Sequence, residues 1–278
     1  MARKSTTTVG KDTSRADKAG QRQGARILVD GLSHKFVDQQ TGEVVQALEQ
    51  VDLTIESGEF LTVVGPSGCG KTTLLNAIAG LVHPTGGEVS SDGAVVRGPG
   101  RDRGVVFQEL AILPWRTVRR NIAHGLEIQK IPRKEREERV GYYVDLMGLS
   151  GFENAYPHQL SGGMKQRVAV ARTWAADPNV ILMDEPFAAV DAQTRITLQE
   201  ELLRISTVSN NTIMFITHNV DEAVFLGDRV VVMTRRPGRI KALLDCPIPR
   251  SERTVDTMAR PEFAAFTERV LQLVREEV

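Results

Sequence analysis

The chain has 278 residues, 41% of them apolar and 25% charged, and its formal net charge at pH 7 is zero. A chain of this length and composition can bury a core, so we expect a globular protein of one large or two small domains. The balanced charge gives no overall field that would attract nucleic acid, and we expect no nucleic-acid partner.

No targeting segment is recognisable. No apolar run approaches the roughly 18 residues that a membrane span requires, and the first residues lack the apolar segment of a secretory signal. Two cysteines, Cys69 and Cys246, cannot form a disulfide framework or a zinc site of known spacing. We therefore expect a cytoplasmic protein in a reducing compartment.

The N-terminal segment is basic and almost free of apolar side chains. Residues 1–26 hold seven Lys or Arg against two Asp, among Ser, Thr, Gly and Gln. Such a segment buries too little apolar surface to repay the entropy of ordering. We predict a disordered, solvated tail over residues 1–25, with an arm that binds anionic lipid or a partner as the alternative.

Strand patterns begin at about residue 26. The runs RILVDGLSHKF, VQALEQVDLTI and GEFLTVVG predict two or three antiparallel strands that lead to a glycine-rich motif. Beyond the helix that follows this motif, GGEVSSDGAVV and DRGVVFQ predict two more strands joined by polar turns.

The glycine-rich motif, GPSGCGKTT at Gly65–Thr73, predicts a phosphate-binding loop. Glycine lets backbone N–H groups curl around an anion and approach it closely. The motif lies between a β-rich run, FLTVVG, and a run typical of a helix, TTLLNAIAG, so the positive end of the helix dipole would meet the anion. This order of strand, loop and helix favours a nucleotide site over a chance glycine-rich turn.

We expect every residue of this loop to contact the nucleotide: Gly65, Pro66, Ser67, Gly68, Cys69, Gly70, Lys71, Thr72 and Thr73. Lys71 would reach the β- and γ-phosphates, the Thr72 hydroxyl would bind Mg²⁺, and the Thr73 backbone would lie near the α-phosphate. Cys69 is in addition a possible target for thiol reagents.

Helical patterns dominate from about residue 109 to about residue 175. Beyond them, NVILMDEP and TIMFITH predict strands that are each preceded by a helix, which indicates an alternating α/β core with a parallel sheet. The run RVVVMTRRPGRIKALLDCPI predicts a terminal hairpin, and PEFAAFTERVLQLVREEV predicts a helix packed on the domain. Together they predict a strand and helix extension over about residues 235–278.

Polar side chains follow three of the predicted strands. The run VILMDEP ends in Asp184, a candidate Mg²⁺ ligand, and in Glu185, which we assign as the base or orienter for the attacking water. Because open α/β sheets bind ligands at the carboxyl ends of their strands, we expect His218 to sense the γ-phosphate and Gln108 to hold the metal or the lytic water. The alternatives are an acidic strand exit into solvent and a structural histidine.

The most specific motif is LSGGMKQR at Leu160–Arg167. With Gly65–Thr72, Gln108, Asp184–Glu185, Asp191 and His218 in this order, the chain resembles the ATP-binding subunit of an ABC transporter over about residues 26–278. It departs from many members of that family at Met164 and at Ala188–Ala189, where glutamine and Ser-Ala are common. Neither departure removes the Ser161 hydroxyl or the Gly162 and Gly163 amides.

The resemblance implies a P-loop NTPase cassette with ATP and Mg²⁺ as cofactors. Its α/β fold would combine a mixed parallel sheet, an antiparallel β subdomain and a helical subdomain over about residues 109–175. Two copies would close head to tail around two ATP, with Ser161, Gly162 and Gly163 on the γ-phosphate held by the other copy. Asp191 would contact the opposite site, and Phe36 would stack on adenine unless it faces the core.

The segments FQELAILPWRTVRRNI, GLSGFENAYPHQLSGGMKQR and RRPGRI are similar to the importer group that serves nitrate, sulfonates such as taurine, and bicarbonate. This similarity implies a multi-span permease, a solute-binding protein and a place on the cytoplasmic face of the membrane. In the family, Ile112–Val118 receives a permease helix, with packing inside the helical subdomain as the alternative. An exporter ATPase, or one that acts on DNA or ribosomes, is the rival class, although Lys71 and Asp184 lie only 113 residues apart.

Overall fold

The computed structural model describes residues 24–38, 40–188 and 190–277. The predicted basic tail lies outside this part of the chain except for its last residues. Gly24 and Ala25 are buried, and the Ala25 carbonyl accepts a hydrogen bond from Thr212 Oγ1 at 2.7 Å. The last two residues of the predicted tail therefore pack on the core, and the rest of that prediction lies outside the described residues.

The described strands form two sheets. They are β1 (Ile27–Val37), β2 (Val44–Ile55), β3 (Phe60–Val64), β4 (Gly86–Ser91), β5 (Ala94–Val95), β6 (Arg103–Val106), β7 (Val180–Asp184), β8 (Thr212–Ile216), β9 (Arg229–Met233) and β10 (Ile240–Asp245). The first sheet is antiparallel, in the order β2-β1-β4-β5. The second has the order β10-β9-β3-β8-β7-β6 and is parallel except for β10, which pairs with β9 as the predicted hairpin.

The third strand before the phosphate loop corrects the sequence prediction. We expected two or three antiparallel strands before the loop; two are antiparallel, and the third, β3, pairs in parallel with β8 and β9. All five residues of β3, β7 and β8 are buried. A continuous apolar run of this kind is typical of a parallel strand that is covered on both faces.

The pleat of β3 divides its side chains between two cores. Phe60 and Val64 point into a core shared with helices of the second half of the chain, and Leu61 and Val63 point into a core shared with the antiparallel sheet. Successive side chains of a strand alternate between faces, so one short strand anchors both layers. The end of β3 is consequently held rigidly from both sides.

The described helices are α1 (Lys71–Ala79), α2 (Val118–Ile122), α3 (His124–Ile128), α4 (Arg133–Leu146), α5 (Gly162–Ala175), α6 (Ala192–Ser209), α7 (Val220–Leu226) and α8 (Pro261–Arg275). Helices α2 to α5 supply the helical content expected from about residue 109 to about residue 175. The terminal helix α8 packs on the domain as predicted, with Phe263 and Val270 buried in the core. Within the described residues, no helix combines the length and the apolar character needed to cross a membrane.

Candidate functional site

The parallel sheet brings the predicted site residues to one edge. Strands β3, β8, β7 and β6 are neighbours in that order and run in the same direction. Their carboxyl ends lead to Gly65, His218, Asp184 and Gln108 respectively. These four positions lie far apart in the sequence, and the strand order places them along a single edge, where open α/β sheets bind ligands.

The phosphate loop ends in a helix start that no side chain caps. Gly70, at φ 103°, is the N-cap of α1 and makes no side-chain capping bond. A Cβ on Gly70 would lie 2.7 Å from Leu48 Cδ2 and 2.8 Å from the Ala47 carbonyl oxygen of β2, so only glycine fits. The first N–H groups of α1 are therefore available to an anionic ligand.

Lys71 is folded into the loop. It is only 7% exposed, and its Nζ donates to the carbonyl oxygens of Gly65 at 2.8 Å and Pro66 at 2.9 Å. Cys69 is buried beside it, and desolvation raises the pKa of the Cys69 thiol. The expectation that Cys69 is open to thiol reagents is wrong, because a buried thiol with a raised pKa forms little thiolate. Only its backbone remains available to a ligand.

Asp184 and Thr72 are the two candidate oxygen ligands for Mg²⁺, of which Asp184 is buried and Thr72 is exposed. Asp184 ends β7 at 6% exposure, and the Thr72 side chain lies near enough to lower the pKa of its carboxyl group. Burial is the main cause that raises the pKa of Asp184; the Thr72 side chain and the Lys71 charge oppose it, and the Glu185 charge adds to it. One carboxylate and one hydroxyl fit Mg²⁺, which binds few protein oxygens and completes its shell with water and phosphate. Among the described residues, no group of three or more His, Cys, Asp or Glu forms an all-protein metal cage.

Glu185 turns away from Asp184 and toward His218. Its backbone has a positive φ of 44°, and its N–H donates to the Ile216 carbonyl at 3.0 Å. The carboxylate Oε2 lies 3.3 Å from His218 Nδ1. Left-handed backbone at a non-glycine residue is strained and concentrates at functional sites. This turn gives the two adjacent acids different surroundings, as their separate predicted roles require.

Gln108 and Phe36 are both exposed. Gln108 lies two residues beyond the end of β6, at the same sheet edge as Asp184. Phe36 is 47% exposed, so the alternative in which it faces the core is wrong. Its ring meets His34 edge to face with the centroids 4.6 Å apart, and it pairs across the sheet with Val45. Val45 precedes Ala47, which contacts the phosphate loop, so Phe36 lies on the sheet that borders this loop.

A second group of predicted residues surrounds the start of α5. Ser161 is the N-cap, and its Oγ accepts a hydrogen bond from the Met164 N–H at 3.3 Å. Asp191 caps α6 by accepting from the Thr194 N–H at 3.0 Å. A Cβ on Gly163 would lie 3.6 Å from Thr194 Cγ2, so the two helix starts are adjacent. Within the described residues, no hydrogen bond or ion pair joins Ser161 or Asp191 to the phosphate loop.

Two further groups near the site were missed by sequence analysis. The loop between β9 and β10 packs on the phosphate loop: Arg236 Nε donates to the Gly68 carbonyl at 3.3 Å. Beneath His218, the buried Glu222 carboxylate accepts from the Thr217 hydroxyl and from Gln199 Nε2, the latter at 2.9 Å. Burial raises the pKa of Glu222. The acidic run VDEA and the run RRPGRI were the only local signals for these contacts.

Comparison with known proteins decides the family. Residues 48–188 match the family described as ABC transporter, which is half of the chain. The ABC transporter ATP-binding protein MJ0412 of Methanocaldococcus jannaschii is 51% identical over 263 residues, which are 94% of this chain and 96% of that protein. The chain belongs to the ABC transporter family.

Two named importers are similar to this ABC transporter chain over most of their length. The nitrate import ATP-binding protein NrtD of Synechocystis sp. is 46% identical over 254 residues, or 90% of this chain and 95% of that protein. The taurine import ATP-binding protein TauB of Roseobacter denitrificans is 43% identical over 253 residues, or 89% of this chain and 93% of that protein. The predicted similarity to this importer group is thereby confirmed.

A solved structure supports the fold. The dimeric structure of MJ0796, a bacterial ABC transporter cassette, gives a TM-score of 0.72 at 30% identity and covers 80% of this chain and 100% of its own. The predicted fold, a P-loop cassette with a mostly parallel sheet, an antiparallel sheet and helices, is confirmed. As a member of this family the chain is an ATPase.

Proposed function

We propose that this ATPase energises the import of a small solute through a separate membrane permease. The solute would be an anion such as nitrate or bicarbonate, or a sulfonate such as taurine. The similarity to NrtD and TauB supports the solute class. The observation that carries the ATPase site is the convergence of Lys71, Asp184 and the Glu185–His218 pair at one sheet edge.

The phosphates of ATP would lie in the loop at the start of α1. Lys71 would exchange its bonds with the Gly65 and Pro66 carbonyls for the β- and γ-phosphate oxygens, a stronger charge-assisted contact. Thr72 and Asp184 would hold Mg²⁺, and Gln108 would contact the metal or the lytic water through its amide. When bound, Mg²⁺ neutralises the charge that develops on the phosphates.

Glu185 would position the attacking water and accept its proton. The carboxylate is partly buried, and the neighbouring His218 ring can donate a hydrogen bond to it or to the γ-phosphate, depending on its tautomer. Thr217 and Asn219, on either side of His218, are tied to the buried Glu222. This buried support would keep the imidazole in place while the phosphate leaves.

A second copy of the chain would complete each site. The donors at the exposed Ser161 and Gly162 and at the half-buried Gly163 form an anion-binding helix start with no anion partner among the described residues of their own chain. They would close on the γ-phosphate held by the partner copy, with Asp191 beside them. The dimeric cassette structure of MJ0796 supports a dimer, and the head-to-tail arrangement is what the family resemblance implies.

The permease would dock on the segment Ile112–Val118. Trp115 is 70% exposed, whereas Ile112 packs against the core. The buried Asn121 fixes the backbone beneath, because it bonds the Leu113 N–H at 2.8 Å and the Arg116 carbonyl at 2.9 Å. A rigid segment that displays a large aromatic ring suits an interface anchor.

Docking of the permease would also be linked to the start of α5 at Ser161. Arg172 of α5 donates to the Ala111 carbonyl at 2.8 Å, and α5 begins at Ser161. Movement of the docking segment would therefore be transmitted to the Ser161 group. In this arrangement the ATPase would lie on the cytoplasmic face of the membrane, and a solute-binding protein would act only through the permease.

Transport and purification in the native organism test this proposal. A deletion strain should lose growth on one small anion or sulfonate supplied as the sole or limiting source of nitrogen, sulfur or inorganic carbon. The wild-type chain should restore growth, and a chain with Glu185→Gln should not. The tagged protein should purify from membranes with a multi-span permease. Purification with ribosomes or DNA, or normal growth of the deletion strain on every such source, would contradict the import function.

A further inference from the structure

The loop between β9 and β10 is fixed beside the phosphate loop. The Gly238 N–H donates to the Ala47 carbonyl at 2.9 Å, and the Gly238 carbonyl accepts from the Glu49 N–H at 3.0 Å. Thr234 Oγ1 accepts from the Arg239 N–H at 2.9 Å and closes the loop on itself. These bonds attach the loop to β2, the strand that also contacts Gly70.

The two loops touch backbone to backbone. A Cβ on Gly238 would lie 1.9 Å from the Cys69 carbonyl oxygen and 3.0 Å from Met233 Cε. No other residue could occupy this position without displacing the phosphate loop. The approach brings the neighbouring side chain, Arg236, over Gly68.

Arg236 holds a carbonyl of the phosphate loop from outside. Its Nε donates to the Gly68 carbonyl at 3.3 Å, and its Nη2 would lie 3.2 Å from a Cβ on Gly68. Arg239 of the same loop pairs instead with Glu49 at 2.8 Å. Arg236 is exposed, and among the described residues no carboxylate pairs with it, so no ion pair there competes with its bond to the Gly68 carbonyl.

An anion cradle must direct its N–H groups inward and its carbonyl groups outward. Lys71 holds the carbonyls of Gly65 and Pro66, and the Leu74 N–H of α1 holds that of Gly70. The Gly68 carbonyl is held by Arg236. Once Lys71 turns to the phosphates, as proposed, Arg236 remains the side chain that secures the loop from outside.

We infer that Arg236 is a positioning residue for nucleotide binding: it keeps the Gly68 carbonyl turned out of the cradle and so preorganises the loop for the α- and β-phosphates. This inference rests on the proposed ATP site. Its effect should appear in affinity, because the guanidinium acts on the shape of the loop in the free and bound states and not on the reacting atoms.

Three single variants of the full chain test the role. Arg236→Gln removes the cation, and Arg236→Lys keeps the positive charge but has fewer N–H donors. Arg235→Gln removes the same charge one residue away. The Arg235 N–H donates to Glu277 Oε2 at 3.1 Å through the backbone, so Arg235→Gln leaves this bond intact. Binding of MgATP and MgADP would be titrated, and KM and kcat for ATP hydrolysis measured.

Arg236→Gln should raise the dissociation constants of MgATP and MgADP equally, by about 3- to 10-fold, as expected for the loss of one solvent-exposed hydrogen bond. KM should rise in parallel while kcat changes less than about 2-fold. Arg236→Lys should recover part of the affinity, and Arg235→Gln should bind as the wild type does.

Four results would overturn the inference. A loss confined to MgATP would mean that Arg236 touches the γ-phosphate itself. An equal loss of nucleotide affinity in Arg235→Gln would mean that net charge, and not the contact with Gly68, causes the effect. A fall in kcat at constant KM would mean that Arg236 acts in the hydrolysis step. Unchanged affinity would leave it without a role. A wild-type chain that bound no nucleotide would instead refute the proposed site.

Discussion

Two glycine-containing helix starts in this chain share their backbone physics and differ in what completes them. The start of α1 follows Gly70, which has no side-chain cap among the described residues, and has the buried Lys71 folded into its loop and the Asp184 carboxylate near Thr72. The start of α5 follows Ser161, whose hydroxyl caps the helix; Ser161 and Gly162 are exposed and Gly163 is half-buried. Both starts offer N–H groups and a positive dipole end to an anion.

The difference shows why the α1 loop can form a nucleotide site within its own chain, whereas the α5 start needs groups from another chain. The α1 loop has a cation, a metal carboxylate and a candidate base on neighbouring strands of its own chain. The α5 start has N–H and hydroxyl donors, but among the described residues no such cation, metal carboxylate or base lies within hydrogen-bond reach of it. We expect it to become functional only when another chain brings an anion to it.

The largest effect should follow from removing the cation of the first start. Lys71→Ala should abolish ATPase activity and weaken ATP binding, because the β- and γ-phosphate charge loses the lysine of the loop. Turnover and MgATP titration measure both effects. Lys134→Ala, at an exposed position of α4, is the matched control and should behave as the wild type does. Unchanged turnover in Lys71→Ala would refute the assignment.

Removing the base should separate binding from hydrolysis. Glu185→Gln keeps size and hydrogen bonding but cannot accept a proton, so turnover should fall by roughly 10²- to 10⁴-fold while ATP still binds. The ATP-bound dimer should accumulate in size-exclusion chromatography with MgATP. A Glu185→Gln protein that remains monomeric and hydrolyses ATP normally would exclude this role.

Loss of the Ser161 hydroxyl at the α5 start should leave nucleotide binding at the α1 start of the same chain intact. In the Glu185→Gln background, Ser161→Ala should leave ATP binding to the monomer intact but weaken the dimer by about 10- to 100-fold, because a hydrogen bond to a charged phosphate is lost. Ser161→Thr keeps the hydroxyl cap and should dimerise more nearly as Ser161 does. Equal loss of monomer binding in Ser161→Ala would break the comparison, since both starts would then act on one nucleotide within one chain.

A change in the docking segment Ile112–Val118 should not directly alter the helix start of α1 or that of α5. Trp115→Ala should weaken permease association by about 10-fold or more, as for an interface anchor, and reduce transport in proportion. ATP binding by the isolated subunit should be unchanged. Because Trp115 is 70% exposed, the melting temperature should also be preserved. Normal transport at wild-type abundance would place the docking site elsewhere.

The smallest effect should come from the basic tail. Deletion of residues 1–23 stops before Gly24, whose N–H donates to the Asn210 carbonyl at 3.0 Å. ATPase activity and thermal stability should stay almost unaltered, because the deleted residues include few apolar groups that could repay ordering. A large fall in the melting temperature would show that the tail packs on the domain.

Local patterns were enough to predict the individual parts of the site. The strand before Gly65, the glycine spacing, the acidic pair at Asp184 and Glu185, and His218 after an apolar run depend on residues close together in the sequence. Their periodicity and turn chemistry depend on neighbouring residues alone. The hairpin and the terminal helix α8 were predicted for the same reason.

The tertiary structure decided which parts meet. β3 joins the parallel sheet because both of its faces are buried, which its five residues do not reveal by themselves. The orientation of Glu185 depends on its bond to Ile216 of the neighbouring strand, and the burial of Cys69 depends on the core around it. The contact of Arg236 with Gly68 spans 168 positions of sequence. Such contacts arise only when strand order and packing bring distant segments together, and no local pattern encodes that order.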